Sequence, residues 1–207
     1  MMSEYINLIV IIVVITFLFG LFYLNKQNSE SKLLFYILSI YFTTEIVTIF
    51  STIYDYNFRF FYNISVAFQF FLWLALLLNV FKKQKRFVIL TFAVLITISF
   101  IISDGGFNKT NFLIGSFLYL IIYIYCAFQL LKSEAIAFFQ SNQFILISSP
   151  ILFFLGLSFM FAFKFNGIAT TAVFLDLELY QLVNYFVNII FYSLINIYIF
   201  KERKLNA

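Results

Sequence analysis

Histidine is absent from this chain of 207 residues, cysteine and proline occur once each, and charged residues make up only 11%. Each shortage excludes something. A single cysteine, Cys126, cannot form a disulfide within the chain, and without histidine the usual His and Cys metal sets are missing. Nucleophilic hydrolysis needs a nucleophile with a base, or a carboxylate pair, and a lone intramembrane carboxyl without histidine supplies neither. We therefore expect no enzyme, no catalytic residues, no bound metal and no cofactor. The charge content, against roughly 25% in an ordinary soluble domain, speaks for a membrane protein instead. No stretch is long enough for a separate soluble domain, so the chain reads as one transmembrane unit.

What is present is hydrocarbon. Hydrophobic residues make up 64% of the chain and phenylalanine alone occurs 33 times. The Phe content and the preference for Lys over Arg look like a compositional bias of the source genome. Apolar runs near the roughly 20 residues that cross a bilayer as helix recur at about 5–24, 33–54, 60–80, 87–102, 112–131, 143–163 and 174–200. This predicts an all-α, seven-helix membrane bundle. The first run is read as a retained span, because Glu4 and no Lys or Arg precedes it and no A-x-A-like cleavage site follows.

Lys and Arg in alternate loops set the orientation. One side holds Lys26, Lys32, the cluster Lys82, Lys83, Lys85 and Arg86, then Lys132 and the tail residues Lys201, Arg203 and Lys204. The other side holds only Arg59, Lys109 and Lys164. The bias predicts an outside N-terminus and a cytoplasmic C-terminus in the inner membrane. It also explains the formal net charge of +4 as topology, so no nucleic-acid partner is expected.

The second span, LLFYILSIYFTTEIVTIFSTIY, carries Glu45 near its centre, the only charge placed deep inside a span. An acidic group there costs about 2.5–3.5 kcal/mol on insertion scales, which makes it a functional candidate. Tyr41, Glu45, Thr48 and Thr52 are spaced by four, three and four residues, so they share one helical face. In the last span Gln181, Asn184, Asn188 and Asn196 also recur on roughly one side, with Tyr185 and Tyr192 adding hydroxyls, and the middle spans offer Gln69, Gln129, Tyr119 and Tyr123. We expect Glu45, Tyr41, Thr48 and Gln69 to face Gln181, Asn184 and Asn188 across a polar cavity for a small ligand or ion. The alternative is that these groups only hold helices together by interhelical hydrogen bonds. Pro150, preceded by Ser148 and Ser149, predicts a kink or hinge in the sixth span. Between Phe174 and Phe200 there is no lysine for a Schiff base, which argues against a retinal pigment. Asn63-Ile-Ser65 and Asn108-Lys-Thr110 match the glycosylation pattern, which has meaning only in a glycosylating secretory pathway.

Two larger patterns bear on function. Spans one to three and five to seven would share an orientation, separated by span four, as in the three-plus-one-plus-three plan of sugar and lysosomal amino-acid carriers. The proline-glutamine signature of those carriers is missing from the first helix of each triplet. Separately, TTEIVTIF in span two, FILISSPILFFLGLSFMF in span six and the ending LVNYFVNIIFYSLINIYIFKERK resemble a group of uncharacterised bacterial seven-helix inner-membrane proteins. Members of that group are often encoded beside sensor histidine kinases, which implies a signalling accessory but assigns no residue roles. The expectation is a small sensor or signalling component in the bilayer, with Lys82, Lys83, Lys85 and Arg86 contacting a cytoplasmic partner such as a histidine kinase. A small-solute transporter is the first alternative and a scaffold subunit of a membrane complex the second.

Overall fold

The structure, a computed structural model, describes residues 8–54, 56–102, 108–163, 172–174 and 177–205. These form α1 (Leu8–Tyr23), α2 (Ser29–Tyr54), α3 (Arg59–Val80), α4 (Lys85–Ile102), α5 (Lys109–Lys132), α6 (Ile136–Phe139), α7 (Asn142–Phe163) and α8 (Leu179–Leu205). Two short antiparallel strands, β1 (Ala172–Phe174) and β2 (Leu177–Glu178), lead into α8. Helices α2, α3, α5, α7 and α8 are long and apolar enough to cross a membrane, and α1 and α4 are shorter apolar helices. Phe22, Phe60, Phe87 and Ile101 stand exposed on the outer surface. Outward-facing hydrocarbon on helices that satisfy their own backbone groups is what lipid requires, and the chain is a multi-pass helical membrane protein.

Local chemistry explains most helix ends. The Asn28 side chain accepts from the Glu30 N–H at 3.1 Å, so α2 begins in the polar segment at Ser29, ahead of the apolar run starting at Leu33. Asn108 does the same for α5 by accepting from the Asn111 N–H. Helices α3 and α5 end alike. Lys82 and Glu134 take left-handed backbone angles, with φ of 52° and 54°. The following amides, of Lys83 and Ala135, reach back to the carbonyls of Leu78 and Leu130.

Besides the earlier start of α2, two further departures from the sequence expectation stand out. The one-turn helix α6 lies in a segment read as loop, its apolar side chains bracing the basic end through contacts such as Phe138 with Phe81. The last long helix starts at Leu179, later than 174, because Ala172–Phe174 pairs with Leu177–Glu178 as strands and the Gln181 side chain accepts from the Glu178 N–H at 3.1 Å. The expected start of the first span at 5 falls outside the described residues, as do residues 164–171, and α1 is described from Leu8.

Six helices, α1, α2, α3, α5, α7 and α8, pack as a ring in that order, with α8 returning to α1. Helix α4 lies outside the ring against α3 and α5. The half of the ring nearest the basic loops is closely packed at its centre, with a smaller cavity of about 280 Å³ at its edge, lined by Phe81, Lys83, Cys126 and Gln129. Trp73, Leu77, Tyr119, Leu146, Phe191 and Ile195 are all fully buried there. Trp73 meets Tyr119 and Phe154 edge-on, at centroid distances of 6.3 and 6.4 Å. At the very end, Asn28 and Asn142 amides both donate to Glu202, at 3.1 and 3.2 Å, and Gln143 donates to Glu30 at 2.8 Å. These bonds join the α1–α2 loop, α7 and α8.

Pro150 is buried in α7, which runs unbroken from Asn142 to Phe163. Proline has no N–H for the carbonyl four residues earlier, here that of Leu146. The Ser149 hydroxyl donates to that carbonyl at 2.8 Å. The neighbouring Ile147 carbonyl accepts the Tyr119 hydroxyl of α5 at 2.6 Å, and Ser148 bonds Tyr123 at 2.8 Å. The turn before the residue expected as a hinge is therefore tied to α5 by two hydrogen bonds.

Candidate ligand cavity

The other half of the ring is hollow. A cavity of about 810 Å³ is bounded by the C-terminal halves of α2 and α7, the N-terminal halves of α3 and α8, and the first turns of α1 and α5. It opens at the end away from Lys82 and Lys83, where Ser51, Tyr56, Asn57 and Arg59 form its rim. Its floor is made by Tyr41, Phe153, Asn188 and Tyr192, all buried.

Six of the seven residues expected to share a cavity line this one: Tyr41, Glu45, Thr48, Gln69, Asn184 and Asn188. The mechanism is periodicity. Spacings of three and four keep Tyr41, Glu45 and Thr48 on the inner face of α2, and the same spacing aligns Asn184 and Asn188 on α8. Gln181 is the correction: it is exposed, and its amide is spent on the turn before α8. Asn196 also leaves the stripe, because its Nδ2 donates to Thr16 of α1 at 3.0 Å. Gln129 sits at the basic end, where it accepts from Lys83 Nζ at 2.8 Å and donates to the Tyr125 hydroxyl. Lys83 is thus tied to α5. Lys82 is exposed on the same loop, Lys85 opens α4, and Arg86 is exposed in its first turn.

Hydrogen bonds fix part of the lining. Thr48 Oγ1 donates to the Thr44 carbonyl at 2.8 Å and lies 3.1 Å from the Tyr62 hydroxyl, which joins α2 to α3. Asn188 Nδ2 donates to the Asn184 carbonyl and to its side-chain oxygen, at 2.8 and 2.9 Å. Tyr41 is different: its hydroxyl is buried and unbonded, near the indole N–H of Trp73 without reaching hydrogen-bond geometry. Glu45 has no hydrogen bond or ion pair to any described residue. Tyr62 and Tyr192 line the same cavity and interact with it electrostatically.

Tyr62, Tyr180, Arg59 and Lys109 line the cavity without having been singled out as site residues. For Tyr62 a signal existed, since a helical hairpin centred near position 55 places 48 beside 62. Arg59 and Lys109 had entered only as loop charges. The two glycosylation-pattern asparagines serve the fold instead. Asn63 accepts from the Asn108 N–H at 2.9 Å, and Asn108 Nδ2 donates to Ser99 at 2.9 Å, all three residues being buried.

Chemically the cavity offers one unpaired carboxyl, amides, tyrosine rings and an apolar wall from Val66, Phe112 and Leu157. Among the described residues no group of three or more His, Cys, Asp or Glu side chains is placed to hold a metal ion. Comparison with protein-family models, with curated proteins and with solved structures finds no match.

Proposed function

We propose that this chain is a seven-span sensor or signalling component of the inner membrane, with its N-terminus outside and its C-terminus in the cytoplasm. In this reading a small ligand enters from outside, and the basic loop with the tail reports occupancy to a cytoplasmic partner. The observation that carries it is the shape of the cavity: open at the end poor in Lys and Arg, and floored by tight packing at the basic end. A dead-end site suits a receptor. The 16 residues of α1 and 18 of α4 reach about 24 and 27 Å at 1.5 Å per residue, enough to count as spans with flanking residues. The Lys and Arg bias supplies the orientation. The resemblance to proteins encoded beside sensor histidine kinases names the partner class.

A carrier is the second reading, and the ring order favours it. Exchanging α1, α2, α3 with α5, α7, α8 maps the order of the ring onto itself, with α4 as the odd helix outside, although the packing of α3 against α7 has no equally close counterpart between α8 and α2. That is the arrangement two parallel repeats would give. Against it, a carrier must open its far end, and there the centre of the bundle is closely packed.

The test uses Glu45→Gln and Asn188→Ala in a cell assay where deletion of the protein has a measurable effect. The expected result is normal membrane level with lost response, capture of a signalling protein through the Lys82–Arg86 loop, and no solute accumulation in reconstituted vesicles. Glu45-dependent accumulation would instead establish the carrier. Normal activity in both variants, or loss of assembly alone, would reduce the polar groups to structure and leave the scaffold.

A further inference from the structure

The basic end of the bundle carries a second recess, which shares no lining residue with the ligand cavity. It measures about 280 Å³ and lies where the chain leaving α3 meets the last two turns of α5, lined by Phe81, Lys83, Cys126, Gln129, Leu130 and Ser133. We propose that it binds the headgroup of an anionic phospholipid, with the lipid phosphate at the Lys83 ammonium group.

Lys83 is held in place by both its backbone and its side chain. Behind the left-handed Lys82, its N–H reaches back to the Leu78 carbonyl at 2.9 Å, so the chain leaves α3 in one defined direction. Its Nζ donates to Gln129 Oε1 at 2.8 Å, and Gln129 Nε2 donates in turn to the Tyr125 hydroxyl at 2.6 Å. An ammonium group carries three N–H donors, and only one of them is used here. Among the described residues Lys83 forms no ion pair. The Ser133 hydroxyl already donates to the Leu130 carbonyl at 3.0 Å. The recess therefore offers two unused donors on one uncompensated cation, which suits an anion that only accepts, such as a phosphate.

The charge around it is mostly of one sign. Arg86 is exposed in the first turn of α4 and Lys132 in the last turn of α5, and neither side chain is bonded to a described residue. The acids of this end are largely engaged elsewhere. Glu202 accepts from Asn28 and Asn142, and Glu30 accepts from Gln143 and interacts with Lys82. Glu134, exposed next to Ser133, is left against Lys83, Arg86 and Lys132. A choline headgroup brings a cation of its own to this cluster, so a headgroup with net negative charge gains more.

The recess also stands at the level of lipid headgroups. Tyr125, Phe128 and Leu131 are exposed on the helix that forms its wall, and the basic loop closes it at the other side. A tyrosine with an exposed ring and a hydroxyl joined to polar groups marks the boundary between hydrocarbon and water. The stem of Lys83 lies along Phe81 and Leu130 while its charge reaches that boundary. Acyl chains below a phosphate at Lys83 would cover the exposed side chains of α5, a contribution that a free phosphate lacks. Lipid is therefore the source of the phosphate.

The test is competition between phosphatidylglycerol and phosphatidylcholine of identical acyl chains for the full chain in detergent micelles, read by native mass spectrometry. A preference of about tenfold for phosphatidylglycerol is expected, and inorganic phosphate at equal concentration should not displace the lipid. Lys83→Gln should lower the preference to about twofold or less, and so should Gln129→Glu, which keeps the lysine but sets a carboxylate against it. Lys201→Gln removes the same charge from α8 and should leave the preference within about twofold of the wild type. If neither recess variant folds, the preference of the wild type decides alone. Equal binding of the two lipids, or an equal loss in Lys201→Gln, would overturn the site, and displacement by inorganic phosphate would overturn the lipid as its occupant. Each of these failures leaves the ligand cavity at the other end as it stands.

Discussion

Ser149→Ala should be costly only while Pro150 is present. The proline leaves the Leu146 carbonyl without its amide partner, and the Ser149 hydroxyl, at 2.8 Å, takes the place of that N–H. Leu146 and Ser149 are both fully buried, so no water replaces the lost donor. A buried carbonyl left unpaired costs about 1–3 kcal/mol in general, while hydrogen bonds inside membrane bundles average about 0.6 and reach about 1.7. The membrane values are the better guide, which puts the cost of Ser149→Ala near 1–1.5 kcal/mol. In a Pro150→Ala background the new N–H serves Leu146, and the same change should cost close to nothing. The coupling in the double-mutant cycle is then about 1 kcal/mol, and the volume lost with the proline ring cancels between its two arms. Reversible unfolding in mixed SDS micelles measures all four proteins. Tyr119→Phe is the control, because its acceptor, the Ile147 carbonyl, is followed four residues later by Ile151, which keeps its N–H. An equal cost for Ser149→Ala in both backgrounds would refute the reasoning, and a Tyr119→Phe cost that vanishes with the proline would show the proline's effect to be wider than drawn.

Gly115→Ala should destabilise by about 1–3 kcal/mol, since the new methyl would enter the Phe70 ring, itself walled by Phe112 at 5.3 Å and Phe154 at 4.7 Å; thermal melting in detergent checks it. Lys82→Gly and Glu134→Gly should each stabilise by about 0.5–1 kcal/mol, because glycine relieves the left-handed backbone that ends α3 and α5; a lowered midpoint for either would contradict this. Asn63→Ala should cost about 1–2 kcal/mol by stranding the buried Asn108 N–H, with faster hydrogen exchange at the start of α5 as the readout that separates it from a general loss of packing.

The helices were legible because lipid imposes a length and a composition on them, and both are visible without knowing what packs where. The ends were less so. Helix α2 starts at Ser29 in a run of polar residues, since a capped polar turn outside hydrocarbon forms as well as an apolar one, and hydropathy does not register it. The strand pair before α8 and the single turn of α6 are too short to carry a period, and depend on contacts such as Phe138 with Phe81 that only the fold supplies. The ring order, with α4 excluded, lies wholly beyond the sequence pattern, because every apolar helix presents some face that will pack.

In the cavity the same limit appears residue by residue. Spacing of three and four puts Tyr41, Glu45 and Thr48 on one face, but it does not say what that face meets over the length of a helix. Along the 27 residues of α8 the surroundings change. Near Gln181 the neighbour is the Glu178 N–H at the end of β2, at Asn184 and Asn188 the cavity, and at Asn196 the hydroxyl of Thr16. One polar stripe is thereby divided among three tasks. The division has a physical reason. Amides in the closely packed half must be paired within the protein or strand a polar atom in hydrocarbon, whereas those beside the opening can be completed by water or by a ligand. A hollow half can therefore hold Glu45 without a partner, and a carboxyl in that state cannot be carried over to the packed half. If Glu45 is there to meet a ligand, its place in the open half follows from the same cost that makes it conspicuous in the second span.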